Sequence, residues 1–104
     1  MRIAVDCGNG VAGVIASELF TKLGCEVTEL FCDVDGTFPN HPADPSKHET
    51  LQDLQEEIAE WKATVGFAFD GDGDRLGIVD EQGKIWSSDY VLLLLAQDHL
   101  RRNP

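Results

Sequence analysis

The sequence predicts an α/β fold, on three observations. A short apolar strand, a segment with helical spacing and a second strand follow one another within the first 32 residues, which is the pattern of a βαβ unit with a parallel pair and a right-handed crossover. The later segment Thr64-Val65-Gly66-Phe67-Ala68-Phe69 is apolar on both faces, as a central strand covered on two sides must be. Two further helical patterns lie between and after the strands and supply the covering layers.

Each element has a local reason. Arg2-Ile3-Ala4-Val5-Asp6 is the first strand, and Gly8 to Gly10 break it. A strand that begins almost at residue 1 leads us to expect a piece of a longer chain. From Val11 the apolar positions run Val11, Ile15, Leu19 and Leu23, with Ala12, Ala16 and Phe20 beside them, and that is helical spacing. Gly24 is placed to end this helix, since glycine accepts the left-handed conformation there. Glu26 to Cys32 alternates through Val27, Leu30 and Cys32 as a second strand. Asp33 to Pro45, with Gly36, Pro39, Asn40 and Pro42, is an irregular loop. Ser46 with Glu49 three residues later forms a capping box, and Leu51, Leu54, Ile58 and Trp61 make one stripe on the helix that follows. Asp53, Glu56, Glu57 and Glu60 are its solvated face. Strand three is Thr64 to Phe69 and strand four Leu76 to Asp80. The turn Glu81-Gln82-Gly83 leads to a short extended piece, Lys84-Ile85-Trp86, and Ser87 or Ser88 caps a last helix from Asp89 to Arg101. Arg101 and Arg102 suit its negative C-terminal end. Tyr90 to Ala96 is nearly all apolar, so this helix is either deeply buried or faces a neighbouring domain.

Composition narrows the function. The chain has 104 residues, enough for one domain spanning 1–104, and 42% of them are hydrophobic, enough for one modest core. No apolar run approaches the roughly 20 residues a bilayer needs, and Asp6 and Gly8 interrupt the start before the apolar segment of a secretion signal could form. We expect no membrane partner. Nineteen acidic residues against 8 basic give a net charge of −11, which argues against nucleic acid. It argues equally against tight binding of a phosphorylated small molecule by this chain alone and in favour of a cation. Three cysteines, Cys7, Cys25 and Cys32, show neither a disulfide framework nor a C-x-x-C site. They read as packed thiols in a reducing cytoplasm.

The segment that carries chemistry is Asp70-Gly71-Asp72-Gly73-Asp74-Arg75. Three carboxylates this close repel one another unless a positive charge lies between them. On an extended strand alternate residues are spaced roughly 6.6 Å apart, too far to share an ion. The intervening glycines allow positive φ and let the backbone curl. Asp70, Asp72 and Asp74 can then converge on one hard cation such as Mg²⁺, leaving positions for water and a phosphate oxygen. Arg75 is placed to take other oxygens of that phosphate. A plain hairpin with three solvated aspartates is the bland alternative, and it leaves three Asp after a wholly apolar strand without a purpose. An EF-hand loop is the sharper rival: counted from Asp70, position 12 is Glu81, but position 6 is Arg75 instead of Gly and the flanks are strand-like.

Cys7-Gly8-Asn9-Gly10-Val11-Ala12-Gly13 holds G-x-G-x-x-G between a strand and a helix, and Asp33 lies 20 residues past Gly13. That is the layout of a dinucleotide site. Against it, Asp6 would set a negative charge beside a pyrophosphate, and only one βαβ half is present. The same glycines could open a helix whose N-terminus lies beside the Asp70–Arg75 loop, since strands one and three of a doubly wound sheet are neighbours and end on the same edge.

Taken together, Val5 to Gly13, the loop Gly36-Thr37-Phe38-Pro39-Asn40-His41 with Asp44-Pro45, and Phe69 to Arg75 resemble the second domain of the α-D-phosphohexomutases. The resemblance covers the whole chain, and the Phe-Pro-Asn-His loop is similar to the phosphomannomutase/phosphoglucomutase branch more than to the phosphoglucosamine mutases. It implies a three-layer α/β/α sandwich on a mixed four-stranded sheet of order 2-1-3-4, with strand four antiparallel. It implies that Asp70, Asp72 and Asp74 ligate Mg²⁺ and that Arg75 lies near the phosphoryl group. The implied parent is a four-domain enzyme that interconverts hexose 1-phosphate and 6-phosphate of mannose or glucose through an active-site phosphoserine and a bisphosphorylated sugar. The partners implied are the enzyme's other domains and its phosphohexose substrate. Ser17, Ser46, Ser87 and Ser88 do not stand in the phosphoserine motif, so the chain alone is expected to be inactive. A complete nucleotide- or calcium-binding module is the rival class. His41 is expected to shape its loop, and His48 and His99 to be exposed.

Overall fold

The computed structural model describes residues 1–37, 39–41, 44–45, 48–73, 75–86 and 88–103. Five strands form one sheet in the order β2-β1-β3-β4-β5. These are β1 (Arg2–Asp6), β2 (Glu26–Leu30), β3 (Val65–Phe69), β4 (Leu76–Asp80) and β5 (Ile85–Trp86). β1 lies between β2 and β3 and is parallel to both, with Val5 opposite Glu29 on one side and Phe67 on the other. β4 runs antiparallel to β3, as expected, with Phe67 opposite Ile78.

The sheet has one strand more than the four expected. The piece Lys84–Trp86, which the sequence marks as merely extended, pairs with β4 through Ile85 and Trp86. Asp80 explains the pairing. Its carboxylate accepts hydrogen bonds from the backbone N–H of Gln82 and Lys84 and from Trp86 Nε1, while Gly83 turns the chain at φ 82°. The Trp86 indole N–H, with the Lys84 N–H, holds the Asp80 carboxyl below its ordinary pKa.

Helices cover both faces. α2 (Gln52–Trp61), entered through a 3₁₀ turn at His48–Leu51, packs Leu51, Leu54 and Ile58 against Ala4, Ala68 and Val79. The predicted stripe is therefore the buried one. Gly66 admits it closely, because a Cβ there would meet Ile58 Cδ1 at 2.6 Å and Leu54 Cδ1 at 3.0 Å. The capping box expected at Ser46 falls outside the described residues. The helix ends at Lys62 in the left-handed conformation, with Ala63 N–H donating to the Ile58 carbonyl, the six-to-one bond of a Schellman ending.

The other face differs from expectation. The segment after Gly10 is a 3₁₀ turn (Val11–Val14) followed by the short helix α1 (Ala16–Lys22). Its residues toward the sheet are Ala12, Ala16 and Phe20, packed with Ile3, Val5 and Cys7. Phe20 stacks on Phe67 of β3 with ring centroids 5.2 Å apart. The stripe Val11, Ile15, Leu19 and Leu23 points outward, 52% to 69% exposed. Close approach decides this. A Cβ at Gly13 would lie 2.1 Å from the Cys32 carbonyl oxygen, so the small residues must face the sheet. α1 ends at Gly24, φ 89°, as its sequence predicts.

The last helix, α3 (Ser88–Arg102), packs on β4 and leaves Leu92, Leu93, Leu94 and Leu95 exposed. Among the described residues no helix is long and apolar enough to cross a membrane.

Candidate metal centre

Because β1 and β3 are parallel neighbours, the segments that follow them emerge on the same edge of the sheet. After β1 comes Cys7-Gly8-Asn9-Gly10. Gly8 (φ 52°) and Asn9 (φ 61°) are both left-handed, a conformation that glycine adopts freely and asparagine tolerates. After β3 comes the loop from Asp70 to Arg75, closed by Gly73 N–H to the Asp70 carbonyl and Asp70 N–H to the Arg75 carbonyl. Of the two intervening glycines, Gly73 takes positive φ (74°) and Gly71 does not. The two segments touch: Val11 N–H donates to the Gly71 carbonyl at 3.1 Å. A Cβ at Gly10 would lie 2.7 Å from the same oxygen.

The candidate ligands are placed as follows. Asp70 is 2% exposed. Its Oδ1 accepts from Arg75 N–H at 3.1 Å and its Oδ2 from Arg75 Nε at 2.8 Å. Asp72 is exposed, and Asp74 lies outside the described residues. The structure thus brings Asp70 and Arg75 together. It gathers no group of three acidic, histidine or cysteine side chains among the described residues. A buried carboxylate held by a charged donor is not the solvated aspartate of a plain hairpin turn. The loop also joins two antiparallel strands, so the helix–loop–helix of an EF-hand is excluded.

The glycine-rich turn is occupied by the protein itself. Gly10 serves the approach of Gly71, Gly13 that of Cys32, and the Val11 N–H is already bonded. A short 3₁₀ turn stands where a dinucleotide site has the start of a long helix.

Sequence reasoning missed a polar network beneath this edge. Asp6, fully buried, accepts from Gly8 N–H at 2.8 Å and pairs with His41 Nε2 at 2.8 Å. Burial pushes the Asp6 carboxyl above its ordinary pKa, and the His41 charge only partly opposes that. His41 also meets Phe31 edge-on. Asn9 uses its whole side chain. Its Nδ2 donates to the Asp33 carbonyl and its Oδ1 accepts from Asn40 Nδ2, both at 2.9 Å. Its backbone N–H and carbonyl bond Phe31 and Asp35. Together these contacts fasten Asp33, Asp35, Asn40 and His41 onto the glycine turn. The only signals in sequence were an Asp closing an apolar strand and an Asn between two glycines.

Known proteins share both the sequence and the fold. Residues 1–83 match the family model described as phosphoglucomutase/phosphomannomutase, alpha/beta/alpha domain II. The whole chain is 59% identical to a phosphoglucomutase of Neisseria meningitidis serogroup A, covering 23% of that protein. It is 56% identical to a phosphomannomutase/phosphoglucomutase of Pseudomonas putida, covering 22% of it. Among solved structures, a phosphoglucomutase/phosphomannomutase family protein of Burkholderia thailandensis superposes with a TM-score of 0.96 at 53% identity, over the whole chain and 23% of its own. The chain therefore spans less than a quarter of the length of these relatives.

Proposed function

This chain belongs to the phosphoglucomutase/phosphomannomutase family as its α/β/α domain II, and from that membership we propose that it is the Mg²⁺-binding domain of a phosphohexomutase. The carrying observation is the Asp70–Arg75 loop, set at the carboxyl edge of β3 against the Gly8–Gly10 turn, with Asp70 buried and oriented by Arg75. Carboxylate oxygens suit a hard dication, and three aspartates stand within five residues of sequence here. Asp70, Asp72 and Asp74 would hold the ion. Bound there, Mg²⁺ would offset the negative charge of a phosphoryl group. Arg75, bonded to Asp70 through Nε, would orient that carboxylate and lie near the phosphoryl group.

The full-length protein on this reading interconverts the 1- and 6-phosphates of mannose or glucose through a phosphoserine and a bisphosphorylated sugar. The phosphoserine and the sugar-recognition loops come from its other domains, so residues 1–104 are one domain of a larger enzyme and have no mutase activity alone. All three cysteines are free thiols, which suits the cytoplasm.

Amide NMR during a Mg²⁺ titration tests the site. Shifts should concentrate in residues 70–75 and Gly8–Gly10, and Asp72→Asn should abolish them without unfolding, since Asp72 is exposed. A loop that Mg²⁺ leaves unmoved sinks the assignment. In the full-length enzyme, Asp72→Asn should lower mutase activity by at least about 10-fold. Conversion of glucose 1-phosphate by the isolated chain would refute the division of labour between domains.

A further inference from the structure

Two of the cysteines are neighbours. Cys7 follows β1 directly and Cys32 lies two residues past β2. β1 and β2 are parallel, so both thiols emerge at the same edge. Their sulfurs lie 3.1 Å apart. The backbones that carry them are already joined, Cys7 N–H to the Leu30 carbonyl and Asn9 N–H to the Phe31 carbonyl. Cys7 is wholly buried and Cys32 is half-buried. Cys25 precedes β2 and stands at the opposite edge.

We propose that Cys7 and Cys32 form a peroxide-reactive dithiol, a modification site separate from the aspartate loop, which closes to an intramolecular disulfide. From 3.1 Å the sulfurs need to approach by only about 1 Å to reach disulfide length. Cys32 is the attacking group. It is the more accessible of the two, half-buried where Cys7 is wholly buried, and a peroxide reaches the more exposed thiol first. The Cys32 thiolate attacks one peroxide oxygen, the O–O bond breaks, and the departing hydroxide is protonated to water. The resulting sulfenic acid is then attacked by Cys7 sulfur. The S–O bond breaks, the S–S bond forms, and the Cys7 proton leaves with the hydroxide as a second water. Two thiols lose two electrons in total and one hydrogen peroxide becomes two waters. The bond would tie the glycine turn covalently to the segment that starts at Asp33, the same two segments that Asn9 already links.

Intact-mass spectrometry and non-reducing peptide mapping of the chain after hydrogen peroxide treatment test this directly. The expected result is loss of two hydrogens per chain, a linked Cys7–Cys32 peptide, Cys25 still alkylatable, and full reversal by dithiothreitol. In Cys7→Ser a dimedone adduct should accumulate on Cys32. Oxygen retained on Cys32 while Cys7 stays free would overturn the proposal. So would consumption of Cys25 first, a Cys25-linked dimer, or three thiols surviving intact. The wild-type peptide map remains a complete test even if a variant at buried Cys7 does not fold.

Discussion

The two helical layers cover the same sheet by opposite means. α2 turns large aliphatic side chains inward, with Leu54 and Ile58 fully buried over Gly66. α1 turns small residues inward, Ala12, Gly13 and Ala16 with Phe20, and leaves Ile15, Leu19 and Leu23 in solvent. The first layer packs by volume and the second by closeness of backbones. Hydrophobic periodicity identifies the buried face only in the first case, because a close approach is made by the residues that have the least side chain.

The largest effect should come from breaking the volume-packed layer. Leu54→Ala removes a fully buried side chain between α2, β3 and β4 and should cost about 2–5 kcal/mol, read from urea unfolding monitored by circular dichroism. A loss below about 1 kcal/mol would mean that the α2 layer is not the stabilising one.

Next in size is a test of the close-packed layer. Gly13→Ala adds a single methyl, but its Cβ would meet the Cys32 carbonyl at 2.1 Å, a backbone atom that cannot rotate away. Overpacking of this kind costs about 1–3 kcal/mol, and the amide shifts of Cys32 and Asp33 should move with it. Gly66→Ala is the matched control. Its added methyl meets side-chain atoms, Ile58 Cδ1 and Leu54 Cδ1 and Cγ, which shift more readily than a backbone carbonyl, so it should cost less than Gly13→Ala. The reverse order would show that the two layers do not differ in the way described.

These contrasts explain what the sequence made legible. The α2 stripe, the first, third and fourth strands to within one residue, and the Asp70–Arg75 loop were readable because each depends on residues close together in the chain, whereas the second strand ends at Leu30, two residues before the expected Cys32. The face of α1 was not, since the constraint at Gly13 comes from Cys32, a residue of a different strand's end. The Asp6–His41 pair spans 35 positions and the Cys7–Cys32 pair 25, and no local pattern announces either. The fifth strand depends on one side chain, Asp80, gathering three donors around a turn.

A smaller effect is expected at the boundary between the layers, where Asp6 ends β1. Desolvation raises its pKa and the pairing with His41 lowers it, and burial wins. The folded protein should then take up this proton at a higher pH than the unfolded chain does. The sign follows: ionised Asp6 costs stability above its folded pKa, and that cost is relieved as pH falls through the folded pKa toward the ordinary value of 3.8. The side-chain carboxyl ¹³C resonance of Asp6 should titrate above that value. A midpoint below it would make the His41 pairing, not burial, the dominant influence.

The smallest effect belongs to the stripe that α1 exposes. Leu19 is 52% exposed and lies on the side away from the sheet, so Leu19→Ser removes little buried area and should change the stability of this chain by no more than about 0.5 kcal/mol. An apolar stripe that contributes so little at home is unusual for a surface helix, and α3 repeats the pattern with Leu92 to Leu95. The same substitution in the full-length enzyme separates two origins for it. If another domain covers α1 there, Leu19→Ser must destabilise the full-length protein by clearly more than it destabilises residues 1–104, by about 1–3 kcal/mol for a well-buried leucine. Equal and negligible losses in both would leave the stripe as surface, and the contrast between the layers would then be wholly a matter of how α1 approaches Cys32.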